Sequence, residues 1–409
     1  MKFTNLSFKA LIILGGLSLP SLGISGQGAF QEIVRKAAFN AGYKSPEEVR
    51  VRSDESLREE GKELFNSQHL SLNARITCAT CHIDNKASTD GIPNAVGIHG
   101  VGEGLERFYS GAKIIPRNTL GLWGVGGVGF NTFFWDGRVD FSPEKKISQF
   151  GSKVPSADPL VTAVHLPVVE IRESIDEDDF VREQKQESVD SARNVYEAIV
   201  RNLKQHEPSL MASLANDLGL KLEDVKFLHV ARAIASFIRA EFKIHESKFD
   251  SFVKGEQKLS EQELQGAMLF YGKGGCSVCH SGPYFTDLQF YTIPFPQLGF
   301  GKNGFGIDYG RYNATFDPKD LYRFRTPSLL NVERTAPYGH SGSIPDLKAA
   351  VIGHYDPLAV VELQQYDDLQ RHEFYKYLAK SSTPNIVNFL TRSEVEELVT
   401  FLKTLSFEM

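Results

Sequence analysis

All four cysteines of the chain fall in two copies of one pentapeptide pattern, Cys78-Ala79-Thr80-Cys81-His82 and Cys276-Ser277-Val278-Cys279-His280. Two thiols three positions apart can add to the two vinyl groups of a haem, and a histidine directly after the second thiol is held where its imidazole meets the iron. The spacing points to two covalently bound c-type haems, with His82 and His280 as iron ligands. Four cysteines in an exported chain would ordinarily form two disulfides, and paired cysteines also chelate zinc. That both pairs end in histidine and use every cysteine favours haem attachment over either.

A haem protein that only carries electrons has both irons saturated, whereas one that activates a ligand keeps a sixth position open or openable. Methionine is the usual sixth ligand in electron-transfer haems. The chain has only Met1, Met211, Met268 and Met409, none in a convincing ligand loop.

The elements that must position these sites read as helices. Gly61-Lys62-Glu63-Leu64-Phe65 and Gly266-Ala267-Met268-Leu269-Phe270 echo each other just ahead of the two pentapeptides, as an internal duplication would. Each echo lies on an amphipathic helix, opened by Ser53 or Ser56 in the first case and by the box Ser260-x-x-Glu263 in the second. Further helices are expected over 191–204, 222–242 and 394–405, the last capped by Thr391-x-x-Glu394. Loops rich in glycine and proline fill 91–104, 121–130 and 294–310, which suits chain that wraps cofactors. The expected fold is mainly α, with two cytochrome c-like domains, each with one covalent haem, and long irregular loops.

With 409 residues, 41% of them hydrophobic, the chain can build two or three domains. A formal charge of −6 offers no basic footprint for nucleic acid. Lys2 and Lys9 precede an apolar run over 10–24, with small residues Gly23, Ser25 and Gly26 at its end. That is the layout of a secretory signal peptide, and the run is weaker and shorter than the ~20 residues a membrane span needs. The expectation is a leader over 1–26, export to the periplasm, and domains over 27–205 and 206–409. The acidic run 176–179 reads as a solvated loop, with docking of a basic electron donor as the alternative.

The segments Phe134-Trp135-Asp136-Gly137-Arg138, Arg117-Asn118-Thr119, Phe324-Arg325-Thr326-Pro327-Ser328-Leu329-Leu330-Asn331 and Thr335-Ala336-Pro337-Tyr338 resemble the bacterial diheme cytochrome c peroxidase and MauG-like family, over about residues 50 to 405. The resemblance implies a peroxidatic haem in the first domain and an electron-transfer haem in the second. Trp135 matches the family's tryptophan between the haems. His99 falls where classical members place a histidine that ligates the first haem at rest and leaves on reduction; a histidine beside an already open iron is the competing reading. Glu170 resembles the distal glutamate, although Ile171 follows it where methionine is usual and its distance from Trp135 is longer than the family's. At the second haem the family's methionine position is His354, implying a histidine ligand with Tyr355 beside it, and MauG-like members use a tyrosine near here. Asn118, Thr335 and Pro337 match positions that bind calcium through an amide and backbone carbonyls, which suit a hard cation. His340 reads as a contact to a haem propionate or as a core histidine.

The function implied is reduction of hydrogen peroxide with electrons from a small cytochrome or cupredoxin. Two alternatives stand beside it: MauG-like oxidation of a partner protein, favoured by the missing methionine, and plain electron transfer, favoured if His99 and His354 saturate both irons. Family members are often homodimers.

Overall fold

The computed structural model describes residues 24–72, 75–176, 189–383 and 387–409. The expected leader lies, up to residue 23, outside the described residues, as do residues 177–179 of the acidic run. Among the described residues no helix is long and apolar enough to cross a membrane.

In chain order the helices are α1 (Ile24–Asn40), α2 (Arg58–Asn66), α3 (Gly104–Phe108), α4 (Pro159–Val164), α5 (Val189–His206), α6 (Pro208–Asp217) and α7 (Phe227–Glu241). There follow α8 (Lys248–Lys254), α9 (Glu261–Tyr271), α10 (Tyr312–Thr315), α11 (Leu347–Tyr355), α12 (Asp368–Ala379) and α13 (Arg392–Lys403). Eight strands of two residues pair antiparallel: β1 (Ala95–Val96) with β2 (Ile114–Ile115), β3 (Thr132–Phe133) with β4 (Val139–Asp140), β5 (Phe290–Tyr291) with β8 (Phe324–Arg325), and β6 (Phe300–Gly301) with β7 (Gly304–Phe305). The mainly α fold expected from sequence is the fold observed.

Two capping boxes form as read: Ser260 Oγ and Thr391 Oγ1 accept the backbone N–H of Glu263 and Glu394, whose carboxylates accept the cap N–H in return. The cap expected for α2 does not form. Ser53 and Ser56 donate instead to Glu55 and Asp54 at 2.7 and 2.8 Å, and the helix starts from a 3₁₀ turn over Glu55–Leu57. A similar turn over Leu222–Asp224 replaces the first residues expected in α7.

The echoed glycines explain the architecture. A Cβ added at Gly61 would lie 2.0 Å from the carbonyl oxygen of Ala233 in α7, and one at Gly266 would lie 2.0 Å from that of Glu397 in α13. Only glycine lets each helix backbone approach its partner so closely. Four residues on, Phe65 meets Phe237 at 5.1 Å between ring centroids, and Phe270 meets Phe401 at 5.2 Å. The same helix crossing is thus built twice, α2 on α7 and α9 on α13, each ahead of a haem-attachment turn. This corrects the division after residue 205: α6 and α7 pack on α2 in the first unit, while α1 packs on α8 and α9 in the second. There Gln31 donates to Leu259 O and Arg35 to Phe252 O, each at 2.9 Å.

Gly266→Ala is expected to force the α9–α13 crossing apart and lower holoprotein stability by about 1–3 kcal/mol. A thermal melt against Gly28→Ala, where a Cβ meets nothing within 4 Å, measures it.

Candidate functional site: two haem-attachment turns and the cavity between them

Each pentapeptide folds as one 3₁₀ turn, over Cys78–Thr80 and Cys276–Val278, with the histidine N–H donating back to the first cysteine's carbonyl at 3.1 and 2.9 Å. Both thiols and the imidazole are thereby gathered within one turn of chain. His82 Nδ1 donates to Ser88 O at 2.9 Å and His280 Nδ1 to Phe285 O at 3.0 Å, which fixes each ring and leaves Nε2 as the ligating nitrogen. Burial lowers both imidazole pKa values, that of His280 to about 4, so both are in the neutral form that binds metal. Burial also pushes the Cys78 and Cys276 thiols up to about 12 and Cys279 to about 11, so these thiols are neutral.

The second turn opens on a cavity of about 230 Å³ that reaches solvent, lined by Cys276, Cys279 and His280 and, opposite, by His354. His354 is held by a hydrogen bond from Nδ1 to Ala350 O at 2.7 Å, and its ring centroid stands 6.5 Å from that of His280. Two imidazoles on opposite sides of one metal ion, with bonds of about 2.0–2.1 Å, place their centroids roughly 6.3 Å apart. The pair therefore fits the two axial positions of a single iron. Among the described residues, Trp123 Nε1 is buried without a partner on this cavity's wall, and the buried Arg325 guanidinium has only the carbonyls of Phe134 and Thr326 as hydrogen-bond acceptors. An orphaned donor and a cation without a carboxylate suit the propionates of a haem. Tyr355, the neighbour of His354, turns its hydroxyl to Leu390 O at 3.4 Å and its ring to Phe389. His340 is buried and stacks on Phe324 at 3.9 Å.

Trp135 lies on the same cavity wall. Its Nε1 donates to Asn118 O at 2.9 Å, and its carbonyl accepts from Arg325 N at 2.8 Å. Asn118 Nδ2 in turn donates to Pro337 O at 2.7 Å, while Thr335, two residues earlier, donates to Val332 O. Two of the three residues expected around calcium, Asn118 and Pro337, are thus in direct contact, with Thr335 lining the same cavity.

From Asp136, next to Trp135, a chain of buried charges leads away towards the first haem turn. Asp136 accepts from Arg117 at 2.6 Å and from Arg138 at 3.1 Å; Arg117 also binds both oxygens of Asp308 at 2.9 Å; Arg138 pairs with Glu170. Burial alone would raise the Glu170 pKa, but Arg138 beside it holds the carboxylate below its ordinary range. Glu173, three residues on, differs. Burial, then the Glu170 charge, pushes it up to about 7. It is Glu173, moreover, whose charge is felt at the Cys78 and Cys81 thiols. The sequence singled out Glu170 and missed Glu173, whose only signal was the three-residue spacing.

Both ring nitrogens of His99 meet protein partners. The residue sits at φ 68° with Nδ1 against Arg75 and Nε2 hydrogen-bonded to Asp176. The loop 96–100 that holds it runs beside Arg172 and Glu173, where Gly97 is required because a Cβ would lie 1.8 Å from Arg172 O.

Residues 56–258 match the family model for di-haem cytochrome c peroxidase. The chain is 28% identical over 328 residues to the methylamine utilization protein MauG of Methylorubrum extorquens, covering 78% of this chain and 75% of that one. It is also 28% identical over 322 residues to a cytochrome-c peroxidase, IdrP1, of a Pseudomonas species, covering 72% and 70%. The diheme peroxidase BthA of Burkholderia thailandensis shares the fold, at a TM-score of 0.62 with 20% identity over 89% of each chain.

His354→Met is expected to raise the potential of the haem held by His280 by on the order of 0.1 V, within the roughly 0.8 V that axial ligands span. Spectroelectrochemistry of the holoprotein measures it.

Proposed function

The chain belongs to the di-haem cytochrome c peroxidase family, as an oxidoreductase with two c-type haems, and we propose that it reduces hydrogen peroxide at the haem held by Cys78, Cys81 and His82. The observation that carries this reading is the asymmetry of the two sites. The second has His354 facing His280, whereas on the first side His99 is engaged by Asp176 and Arg75 and the charge of Glu173 reaches the Cys78 and Cys81 thiols. Each bound haem supplies an iron that exchanges electrons, and the first also supplies a position for the peroxide.

The overall reaction takes two electrons and two protons and yields two waters. Its difficult part is moving a proton from the near to the far oxygen so that water can leave, which a carboxylate of matched pKa performs. Glu173 fits this task better than Glu170. Glu170, clamped by Arg138, is a fixed anion whose charge helps Glu173 keep its proton near neutral pH. Trp135, held at Asn118 and Arg325 between the second cavity and the Asp136 charge chain, is the stepping stone for electrons. Asn118, Thr335 and Pro337 would hold a calcium ion through an amide and backbone carbonyls, beside the carbonyl that holds Trp135. The reading includes export to the periplasm, supported by the charged and apolar pattern over residues 2–24, with a small cytochrome or cupredoxin as donor and a homodimer as its assembly.

One observation favours a second reading. A histidine in place of methionine at the second haem lowers its potential and stabilises oxidised iron, as MauG-like oxidation of a partner protein requires. Peroxide added to diferric protein separates the two: lasting joint oxidation of both haems favours protein oxidation, and turnover only with a reduced donor favours the peroxidase. Two low-spin haems that ignore peroxide would sink both and leave an electron carrier.

The diferric holoprotein is expected to show one high-spin and one low-spin haem by electron spin resonance. The rate of reaction with peroxide rises as the Glu173 carboxylate forms, through about pH 7. Glu173→Gln removes that limb and slows the reaction about 10²- to 10⁴-fold. Glu170→Gln removes the neighbouring anion, frees Arg138, and shifts the limb to lower pH. Stopped-flow rates against pH check both directions.

A further inference from the structure

The glycine-rich segment 299–306 is a hairpin of the second unit that reaches the first. Phe300 pairs with Phe305 and Gly301 with Gly304, which leaves Lys302 and Asn303 as a two-residue tip. The hairpin is seated on both units. Asn94 of the first unit donates to Leu298 O at 2.9 Å, Gln297 donates to Pro116 O at 3.0 Å, and Asn303 exchanges hydrogen bonds with Asn313 at 2.8 and 3.0 Å. Just after it, Asp308 grips Arg117 through two bonds of 2.9 Å. The tip is therefore fixed in place by its surroundings.

The charges around that tip do not balance pair by pair. Arg117 is satisfied by Asp308 and Asp136, and Arg138 by Asp136 and Glu170. Lys302 and Glu173 remain. Neither has a hydrogen-bonded or ion-paired partner among the described residues, yet each feels the same neighbours, Arg138 and Glu170. Lys302 is exposed and Glu173 half-buried, so both side chains are open to small solutes beside that cluster. An ammonium left unpaired there attracts a small anion.

We propose that Lys302, delivered across the unit boundary by this hairpin, binds the anionic form of the small ligand at the first haem, hydroperoxide in turnover, opposite the proton held by Glu173. When hydrogen peroxide gives its proton to the Glu173 carboxylate, the hydroperoxide left behind carries one negative charge, and Lys302 complements it. The first haem's ligand preference is thus set in part by a residue of the other unit. This rests on the reading of the first haem as the open site.

Azide, a small anion that binds ferric haem, and imidazole, a neutral ligand, are titrated against the holoprotein and followed by absorption, in the diferric and half-reduced states. In K302M azide affinity falls about 10- to 100-fold, the worth of a charge-assisted hydrogen bond, with imidazole affinity unchanged. K302R keeps most of the azide affinity. K302Q, polar but uncharged, loses it as K302M does. Azide binding to either neutral variant as tightly as to the parent overturns the role of Lys302 and leaves the open site intact. Failure of the parent protein to bind either ligand at the first haem overturns the open site, and Lys302 with it.

Discussion

The Arg117 guanidinium is bound on two edges by carboxylates from distant parts of the chain, Asp136 and Asp308, and among the described residues nothing else ties so many candidate functional groups together. Burying such a group is costly, and its charge survives because both partners are buried with it. Ion pairs of this kind add little net stability but penalise every other arrangement, since losing one partner costs about 3–5 kcal/mol. Asp136 follows Trp135, Arg138 passes the chain of charge on to Glu170, and Asp308 follows the hairpin that holds Lys302. The mutual placement of tryptophan, distal carboxylates and hairpin is therefore set by electrostatics where the two units meet.

Away from that cluster the two units are built alike and furnished differently. The glycine contact, the phenylalanine pair and the single 3₁₀ turn with its back-bonded histidine recur in each. What differs is the residue facing the iron-binding imidazole. In the second unit α11 presents His354, and the wall is largely apolar. In the first, Glu170 and Glu173 follow the 3₁₀ turn Pro167–Val169, and the Glu173 charge reaches the attachment thiols. The two units thus share their attachment turns and differ in the side chains that the surrounding chain presents beside them.

What could be read from the sequence follows the range of the interactions concerned. The attachment turns, the Ser260 and Thr391 caps and the glycine echo depend on residues within five positions of each other, and all were legible. The Ser53 or Ser56 cap failed because Asp54 and Glu55 compete for the same hydroxyls. The division after residue 205 failed because α7 finds α2 across more than 150 residues, a contact that no local pattern announces. Glu173 and Lys302 were invisible for the same reason. Their character comes from Arg138 being taken by Glu170 and Arg117 by Asp308, which only the folded chain decides. His99 was rightly noticed as a histidine in a glycine-flanked loop, but its partners Arg75 and Asp176 lie far from it in sequence.

The placement of α1 bears on how this molecule comes to be assembled. Its hydrogen-bond acceptors, Leu259 O and Phe252 O, lie more than 200 residues further along the chain, and Ala41 at its end accepts from Gly282 beside the second attachment turn. The earliest helix among the described residues thus has no docking surface until α8 and α9, beyond residue 247, have been made, a contact of high sequence separation and hence slow to form. Until α1 docks, Val34 and Ala38 on its apolar face are unprotected, and the second attachment turn is unclasped and accessible for ligation of the haem.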